Sequence, residues 1–231
     1  LASSGIDSLA FEASTTRMWL GTDDAGVEVG HLPTWTRRRG DVDAGLSHTR
    51  VTEILLDPDG GAWVGTEAGV DHVDAAVAKV RPLGATGEIV GLVWAESRGQ
   101  PVALDTACRL WAVADTGLEA LPSPPGARRC LALQAGPEGL WIASDAGLHR
   151  LDLGGAVLRH WPMTALGAST ARPTAMIRLG DGRLLVGFAD GGVVQLAPGS
   201  ARPQPLRFDQ PPRSAITRFH EGRSGALWIG T

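Results

Sequence analysis

The sequence predicts an all-β protein made of repeated four-stranded antiparallel sheets, and three observations support this prediction. Glycine and proline occur 31 and 15 times in 231 residues, so the chain turns often. A similar stretch of sequence recurs with a period of about 40 residues, which is typical of repeat architectures. Within each copy, turn signals follow one another so closely that no room is left for a long helix.

The repeat is clearest when its copies are aligned on one large apolar residue. The best copy, VTEILLDPDGGAWVGTEAGVDHVD, extends from Val51 to Asp74. The equivalent apolar positions are Trp19, Trp63, Val102, Trp141, Leu185 and Trp228. These positions are separated by 44, 39, 39, 44 and 43 residues, so the repeat continues through the whole chain.

Each copy contains four short β-rich runs. In the second copy they are VTEILL, AWVGT, VDHVD and KVRPL, with the turns DPDGG and EAG between the first three. Four short antiparallel strands make one blade of a β-propeller, which is therefore the expected architecture. We expect the tryptophan of the second strand to fill the wedge between neighbouring blades. The Gly-Thr pair after it would allow a tight turn whose amides bond to the hydroxyl.

The repeats predict five complete blades and half of a sixth. The blades start near Ile6, Val51, Ile89, Cys130, Thr174 and Ala215. Together they are expected to form a single partial propeller domain over residues 1–231. The chain begins at Leu1 without a leader pattern and stops inside the strand-like run GALWIGT. We therefore expect a fragment of a longer protein whose ring has more blades, with seven as the favoured number.

Composition narrows the functional classes. There are 21 Lys and Arg against 25 Asp and Glu, so no basic field attracts nucleic acid. The one lysine, Lys79, follows no glycine-rich loop, which excludes P-loop chemistry. No apolar run reaches the roughly 18 residues of a membrane-spanning helix. Cys108 and Cys130 have neither CxxC nor zinc spacing; a disulfide between them stays open, but two buried thiols are favoured.

The second repeat, GLSHTRVTEILLDPDGGAWVGTEAGV from Gly45 to Val70, resembles the two-component regulator propeller repeat. Shorter matches are MWLGT, LWIASDAGL and LWIGT in the first, fourth and sixth copies. The third and fifth copies depart from the pattern, with Val102 and Leu185 in place of tryptophan. The resemblance covers essentially the whole chain.

This resemblance implies a function in signal transduction. Propellers of the family usually form the periplasmic input region of a membrane-bound bacterial receptor with a histidine kinase or diguanylate cyclase output. The implied role is a non-enzymatic ligand sensor without a cofactor. Its partners would be other propeller blades or domains of the parent chain, in a receptor that is a dimer. Two alternatives stay open: a propeller-fold polysaccharide lyase or glycosidase, and a non-catalytic protein-interaction scaffold.

Two charged sets recur from blade to blade. Acidic residues follow the second strands: Asp23, Asp24, Glu67, Asp105, Asp145 and Asp190. Arginines precede the inner strands: Arg50, Arg128, Arg129, Arg172 and Arg213. The loops that carry both sets are expected to lie on the same face of the propeller. The predicted ligand-binding residues are Arg50, Arg129 and Arg172, opposed by Asp23, Glu67 and Asp145.

An acidic oligosaccharide is the favoured ligand, because arginine forms a fixed fork for carboxylates. The alternative is that the acids only build tight turns and the arginines only tie neighbouring blades together. No HExxH, GxSxG or GxGxxG motif is present, so no catalytic residue is proposed.

Histidines and the other tryptophans receive structural interpretations. The six histidines are scattered without metal-ligand spacing, so each is expected at the surface or at an interface, and no metal site is predicted. The tryptophans outside the repeat position are Trp35, Trp94, Trp111 and Trp161. We expect them to pack between blades rather than to stack on sugars.

Overall fold

A computed structural model describes Ser3 and residues 5–12, 14–33, 38–40, 45–167 and 171–231. Strands dominate these ranges; the helices described there are α1 (Met163–Leu166) and a 3-10 turn at Glu96–Arg98. The chain divides into two compact units. Unit 1 comprises Leu1–Trp94 and Gly99–Leu121, and unit 2 comprises Ala95–Arg98 and Pro122–Thr231.

Unit 1 contains three four-stranded antiparallel sheets, blades 1 to 3. Blade 1 consists of β1 (Ile6–Glu12), β2 (Arg17–Thr22), β3 (Val27–His31) and β4 (Arg38–Gly40). Blade 2 consists of β5 (Val51–Leu56), β6 (Ala62–Thr66), β7 (Gly69–Val73) and β8 (Val80–Ala85). Blade 3 consists of β9 (Ile89–Ala95), β10 (Gln100–Asp105), β11 (Leu110–Ala114) and β12 (Gly117–Leu121).

Unit 2 contains blades 4 and 5 and a two-stranded sheet. Blade 4 consists of β13 (Cys130–Gly136), β14 (Gly139–Ser144), β15 (Gly147–Leu151) and β16 (Val157–Pro162). Blade 5 consists of β17 (Pro173–Arg178), β18 (Leu184–Phe188), β19 (Val193–Leu196) and β20 (Gln204–Pro205). The last sheet pairs β21 (Arg218–Glu221) with β22 (Leu227–Gly230). The predicted all-β propeller architecture, with five complete blades and half of a sixth, is confirmed for the described residues.

The inner strands of neighbouring blades contact each other within each unit. β1 packs against β5 in unit 1, and β13 packs against β17 in unit 2. Four inner strands shift register at their second residue, which is Asp7, Thr52, Leu131 and Thr174. A bulge of this kind redirects a side chain near the end of a strand.

The repeat tryptophans fill the spaces between blades, as predicted. Trp19 and Trp63 of unit 1 are 0% and 7% exposed, and Trp141 of unit 2 is 5% exposed. Each belongs to an apolar cluster that includes residues of the following blade. Trp228, on the last described sheet, is 68% exposed.

Three of the four other tryptophans reinforce these clusters. Trp94 packs against Trp63, with ring centroids 5.3 Å apart, and Trp111 lies in the same cluster. Trp161 stacks on Trp141 at 5.5 Å. The expected packing role is therefore confirmed for these three side chains, and Trp35 lies outside the described residues.

The glycine two residues after a repeat tryptophan makes room for the following blade. A Cβ atom on Gly65 would lie 2.7 Å from Cγ2 of Ile89, and one on Gly21 would lie 2.5 Å from Cγ1 of Val51. Val51 and Ile89 are the first residues of the following inner strands. Any side chain at either glycine would therefore push two blades apart.

The hydroxyl after this glycine closes the turn between the second and third strands. Thr66 Oγ1 accepts hydrogen bonds from the amides of Ala68 and Gly69 at 3.2 and 3.1 Å. Thr22 in blade 1 and Ser144 in blade 4 bond to their turns in the same way. The predicted role of the Gly-Thr pair is confirmed.

Each of three third strands buries one polar residue, which lies opposite the residue that follows the repeat tryptophan on the second strand. These residues are Glu28, Asp71 and His149, and each is 0% exposed. Burial raises the pKa of Asp71, against the opposing effect of hydrogen bonds from the hydroxyl and amide of Ser47. The expectation that every histidine lies at the surface or an interface is wrong for His149, because β15 turns its side chain inwards.

His149 stacks face to face on His160, with ring centroids 4.4 Å apart. Its Nε2 lies 3.0 Å from Ser144 Oγ, whereas its Nδ1 is buried without a hydrogen-bond partner. Desolvation, helped by repulsion from His160 and opposed by attraction to Asp145, lowers the pKa of His149 from 6.5 to about 4. The ring is therefore neutral inside the folded protein at neutral pH.

The cysteines are not the free buried thiols that the sequence favours. Cys108 and Cys130 are both disulfide-bonded, and both are at most 1% exposed. The favoured interpretation was wrong because a disulfide forms only where the Cα atoms of two cysteines lie about 4.4–6.8 Å apart. The number of residues between two cysteines in the sequence does not predict this distance.

Removal of a repeat tryptophan should strongly destabilise the protein. Trp63→Ala and Trp141→Ala should each lower the free energy of unfolding by about 3–5 kcal/mol, because each empties a wedge between two sheets. Trp228→Ala, at the same repeat position but exposed, is the matched control and should cost less than about 1 kcal/mol. Urea denaturation measures all three, and equal effects at buried and exposed positions would contradict the wedge packing.

Acidification should destabilise the protein through His149. Its folded pKa of about 4 lies below the value of 6.5 in the unfolded chain, so the unfolded state binds more protons between these two pH values. Stability should therefore fall by roughly 2 kcal/mol from pH 7 to pH 5. In His149→Gln most of this loss should disappear, whereas His220→Gln, at an exposed site, should retain it. Denaturation curves of the parent and both variants at pH 7 and pH 5 measure this loss. An equal loss in His149→Gln and in the parent would contradict the prediction.

Candidate functional site

Each blade places the residue before its inner strand beside the residue after its second strand. The amide of the latter donates a hydrogen bond of 2.9–3.3 Å to the carbonyl of the former in all five described blades. The pairs, donor first, are Asp23 with Gly5, Glu67 with Arg50, Thr106 with Glu88, Asp145 with Arg129, and Ala189 with Arg172. This bond makes the predicted arginines and acids direct neighbours in blades 2 and 4.

Arg50 connects the three blades of unit 1. Its Nη1 donates to Glu67 Oε1 at 2.6 Å, and its Nε donates to Asp7 Oδ2 at 2.9 Å. Glu88 Oε1 lies 4.0 Å from the same Nη1. The hydrogen bonds to Asp7 and Glu67 raise the pKa of Arg50 above its ordinary value. The guanidinium group is therefore already paired with carboxylates from blades 1 and 2, and a third lies close by.

Asp145 in blade 4 interacts with backbone rather than with a guanidinium group. Its Oδ1 accepts hydrogen bonds from the amides of Arg128 and Arg129 at 2.9 and 3.1 Å. Partial burial would raise the pKa of Asp145, but these amides hold it below its ordinary value. The carboxylate thus shapes the loop in front of β13 and leaves the arginine side chains unused.

Arg129 and Arg172 differ from Arg50 in this respect. Both are exposed, and neither side chain forms an ion pair or a hydrogen bond with another described residue. Arg129 precedes β13 and Arg172 precedes β17, and these two inner strands pack against each other. Unit 2 therefore carries, at the same ends of adjacent inner strands, two guanidinium groups that have no partner in the described part of the chain.

Three of the remaining acidic residues, Asp23, Asp105 and Asp190, have local partners. Asp23 accepts a hydrogen bond from the hydroxyl of Ser3, and Asp190 accepts one from the amide of Gly192 at 3.0 Å. Asp105 occupies the position of Thr66 rather than that of Glu67. Its buried carboxylate forms an ion pair of 2.6 Å with Arg109. The structure thus separates Asp105 from the exposed turn residues with which the sequence groups it.

A cavity opens between blades at the opposite ends of the strands in each unit. The cavity between blades 2 and 3 has a volume of about 520 Å³, and the one between blades 4 and 5 about 250 Å³. The first contains Trp63, Trp94, Asp57, Asp59 and Asp115. The second contains Trp141, Trp161, Arg150, Arg159, Arg178 and Glu138. Sequence reasoning missed both, because their charged residues come from strands and turns that share no motif.

Neither a metal-binding cluster nor a membrane-spanning helix occurs in the described ranges. In the described ranges, no three side chains of His, Cys, Asp or Glu are grouped so as to hold a metal ion. No helix in the described part of the chain has the length and apolar character needed to cross a membrane.

Similar proteins were found by family and by structure. Residues 45–68 match the two component regulator propeller family. The chain superimposes on the extracellular domain of the putative hybrid two component system BT3049 from B. thetaiotaomicron with a TM-score of 0.75 and 16% identity. That alignment covers 98% of this chain and 32% of the other, so the chain spans about a third of that protein's length. No curated protein matches the sequence.

Two other solved structures share the architecture. The computationally designed Ika8 protein has a TM-score of 0.69 and 18% identity, over 98% of this chain and 70% of the other. The WD40 β-propeller domain of Doa1 has a TM-score of 0.74 and 12% identity, over 97% and 74% of the two chains. At such identities the superpositions establish the fold. The chain has a β-propeller fold, and its residues 45–68 match the two component regulator propeller family.

Proposed function

We propose that this chain is the ligand-sensing propeller in the extracytoplasmic part of a bacterial membrane-bound receptor of the sensor kinase or diguanylate cyclase type. The match of residues 45–68 to the two component regulator propeller carries the proposal. Structural similarity to the extracellular domain of a putative hybrid two component system supports the same class. The disulfide-bonded state of Cys108 and Cys130 fits an oxidising compartment outside the cytoplasm.

The ligand contacts in unit 2 are assigned to Arg129 and Arg172. Their exposed guanidinium groups have no partner among the described residues, and they stand at the starts of two adjacent inner strands. Two such groups fit a ligand with two carboxylates, which makes an acidic oligosaccharide the proposed class. Arg50 is the weakest member of the predicted set, because Asp7 and Glu67 already occupy its donors.

The proposed signal is a change in packing between blades. A ligand that bridges Arg129 and Arg172 binds best at one spacing of β13 and β17. The ligand therefore favours the receptor conformation that has this spacing. The size of the shift depends on how much more tightly the ligand binds this conformation than the other. In a dimeric receptor, this preference would pass to the output module through rigid-body movement of packed domains.

The binding test compares an acidic with a neutral oligosaccharide of equal length. Calorimetric titration of the chain with trigalacturonate should give binding, whereas cellotriose should not bind. Arg129→Ala/Arg172→Ala should weaken trigalacturonate binding about tenfold or more, since charged hydrogen bonds contribute about 1.5–3 kcal/mol each. The triple variant that adds Arg50→Ala should show little further loss of affinity.

The charge-matched control is Arg207→Ala/Arg223→Ala, which also removes two exposed arginines from unit 2. It should bind trigalacturonate as the parent chain does. If both double variants melt like the parent and bind equally well, the assignment of Arg129 and Arg172 is wrong. If the parent itself binds neither saccharide, the acidic-oligosaccharide proposal fails.

A further inference from the structure

The cavity between blades 4 and 5 is at the end of unit 2 opposite to Arg129 and Arg172. Glu138 follows the inner strand β13, and Arg178 is the last residue of β17, whereas Arg129 and Arg172 precede those strands. The cavity volume of about 250 Å³ suits a compact molecule rather than an oligosaccharide. It is therefore a separate candidate site.

Two stacked tryptophans form one wall of this cavity. Trp141 and Trp161 are 5% and 4% exposed, and their ring planes are inclined by 24°. The indole N–H of Trp141 donates to Glu138 Oε1 at 3.3 Å, and that of Trp161 donates to the carbonyl of Ala201 at 2.8 Å. Since both indole donors are used within the protein, the rings offer apolar surface to a ligand.

The polar wall carries an excess of positive charge. The guanidinium group of Arg150 lies over Trp141 at 5.7 Å, and that of Arg159 lies over Trp161 at 4.8 Å. Arg178 is the third cation, and Glu138 is the one carboxylate among the lining residues. Three guanidinium groups against one carboxylate leave a net positive cavity.

Arg178 also has an unused donor. Its Nε forms an ion pair with Glu138 Oε1 at 3.7 Å, which is beyond hydrogen-bonding distance, so this buried N–H has no hydrogen-bond acceptor among the described residues. A buried donor without an acceptor costs free energy, which a bound anion would recover. Arg150 and Arg159, by contrast, donate to the carbonyls of Glu138 and Ala201.

We infer that this cavity binds a small aromatic carboxylate. The carboxylate would accept from Arg178, and the ring would lie against Trp141, Leu184 and Leu196, all of which line the cavity. Leu184 and Leu196 offer no group that could bond to sugar hydroxyls, which disfavours a saccharide of the same charge. The cavity shares no residue with the proposed oligosaccharide site at Arg129 and Arg172, so either site can exist without the other.

The corresponding cavity of unit 1 provides an internal comparison. It also lies beside a tryptophan pair, Trp63 and Trp94, but its charged lining residues are Asp57, Asp59 and Asp115. Carboxylates repel an anion, so this cavity is not expected to bind the same ligand. The anion site therefore depends on the arginines and not on the tryptophan pair alone.

The experiment is a calorimetric titration of the 231-residue chain with benzoate. Benzyl alcohol tests the need for charge, glucuronate tests the need for an aromatic ring, and sulfate tests for an unselective anion site. Benzoate should bind about tenfold or more tightly than each of the other three. No benzoate binding, or equal binding of sulfate or glucuronate, would overturn the inference.

Variants locate the site. Arg178→Met should weaken benzoate binding about tenfold or more, whereas Arg223→Met, at an exposed position in unit 2, should leave it unchanged. Arg159→Met removes an exposed cation of the same cavity. If Arg178→Met lowers the melting temperature, the benzoate affinity of Arg159→Met tests the site instead. Parent-like affinity in a well-folded Arg178→Met or Arg159→Met protein refutes the site. Arg129→Ala/Arg172→Ala should bind benzoate normally, so the two proposals fail separately.

Discussion

The close approach of neighbouring blades at the second strand is the constraint on which the described structure depends. The tryptophan of this strand fills the wedge between two sheets, and the glycine two residues later leaves room for the next inner strand. At Gly65 even a methyl group would lie 2.7 Å from Ile89. The packing thus requires a large side chain and, two residues later, a residue without a side chain. This requirement explains why tryptophan and glycine occur together in blades 1 and 2.

The same geometry determines which polar groups are buried. The sharp turn after the second strand leaves amides that Thr66 and Ser144 satisfy with their hydroxyl groups. In blade 5 the corresponding position is Phe188, which is fully buried, and the buried polar position of the third strand is Val194. Blade 5 therefore achieves the same packing with apolar side chains, and its departure from the repeat pattern does not disturb the fold.

Charge is distributed differently within the two units. In unit 1 the arginine side chains that the structure describes all form ion pairs with carboxylates; they are Arg17, Arg50, Arg81 and Arg109. In unit 2 Arg178 and Arg183 also form ion pairs, but Arg129 and Arg172 have no side-chain partner among the described residues, and the Nε of Arg178 lacks a hydrogen-bond acceptor there. Paired charges contribute mainly to structure, whereas unsatisfied ones can gain free energy from a ligand. This contrast is why both binding proposals concern unit 2.

The repeat, the blade count and the roles of Trp63, Gly65 and Thr66 can all be predicted from the amino-acid sequence. These features are local, because one strand, one turn and the next strand follow one another along the chain. The sequence also predicts correctly that Arg50 lies beside Glu67. Arg50 precedes the inner strand and Glu67 follows the second strand, and the register of these two paired strands makes the two residues neighbours.

Charge pairing, burial and the oxidation state of the cysteines become visible only in the folded protein. The sequence does not show that Arg50 is paired whereas Arg129 has no side-chain partner among the described residues. Nor does it show that His149 is buried or that the cysteines are oxidised. Pairing, burial and oxidation depend on which atoms from distant repeats come within a few ångströms, and the repeat period does not encode those distances. The cavity at Arg178 is the clearest case, because its walls come from two blades whose residues become neighbours only when the sheets pack.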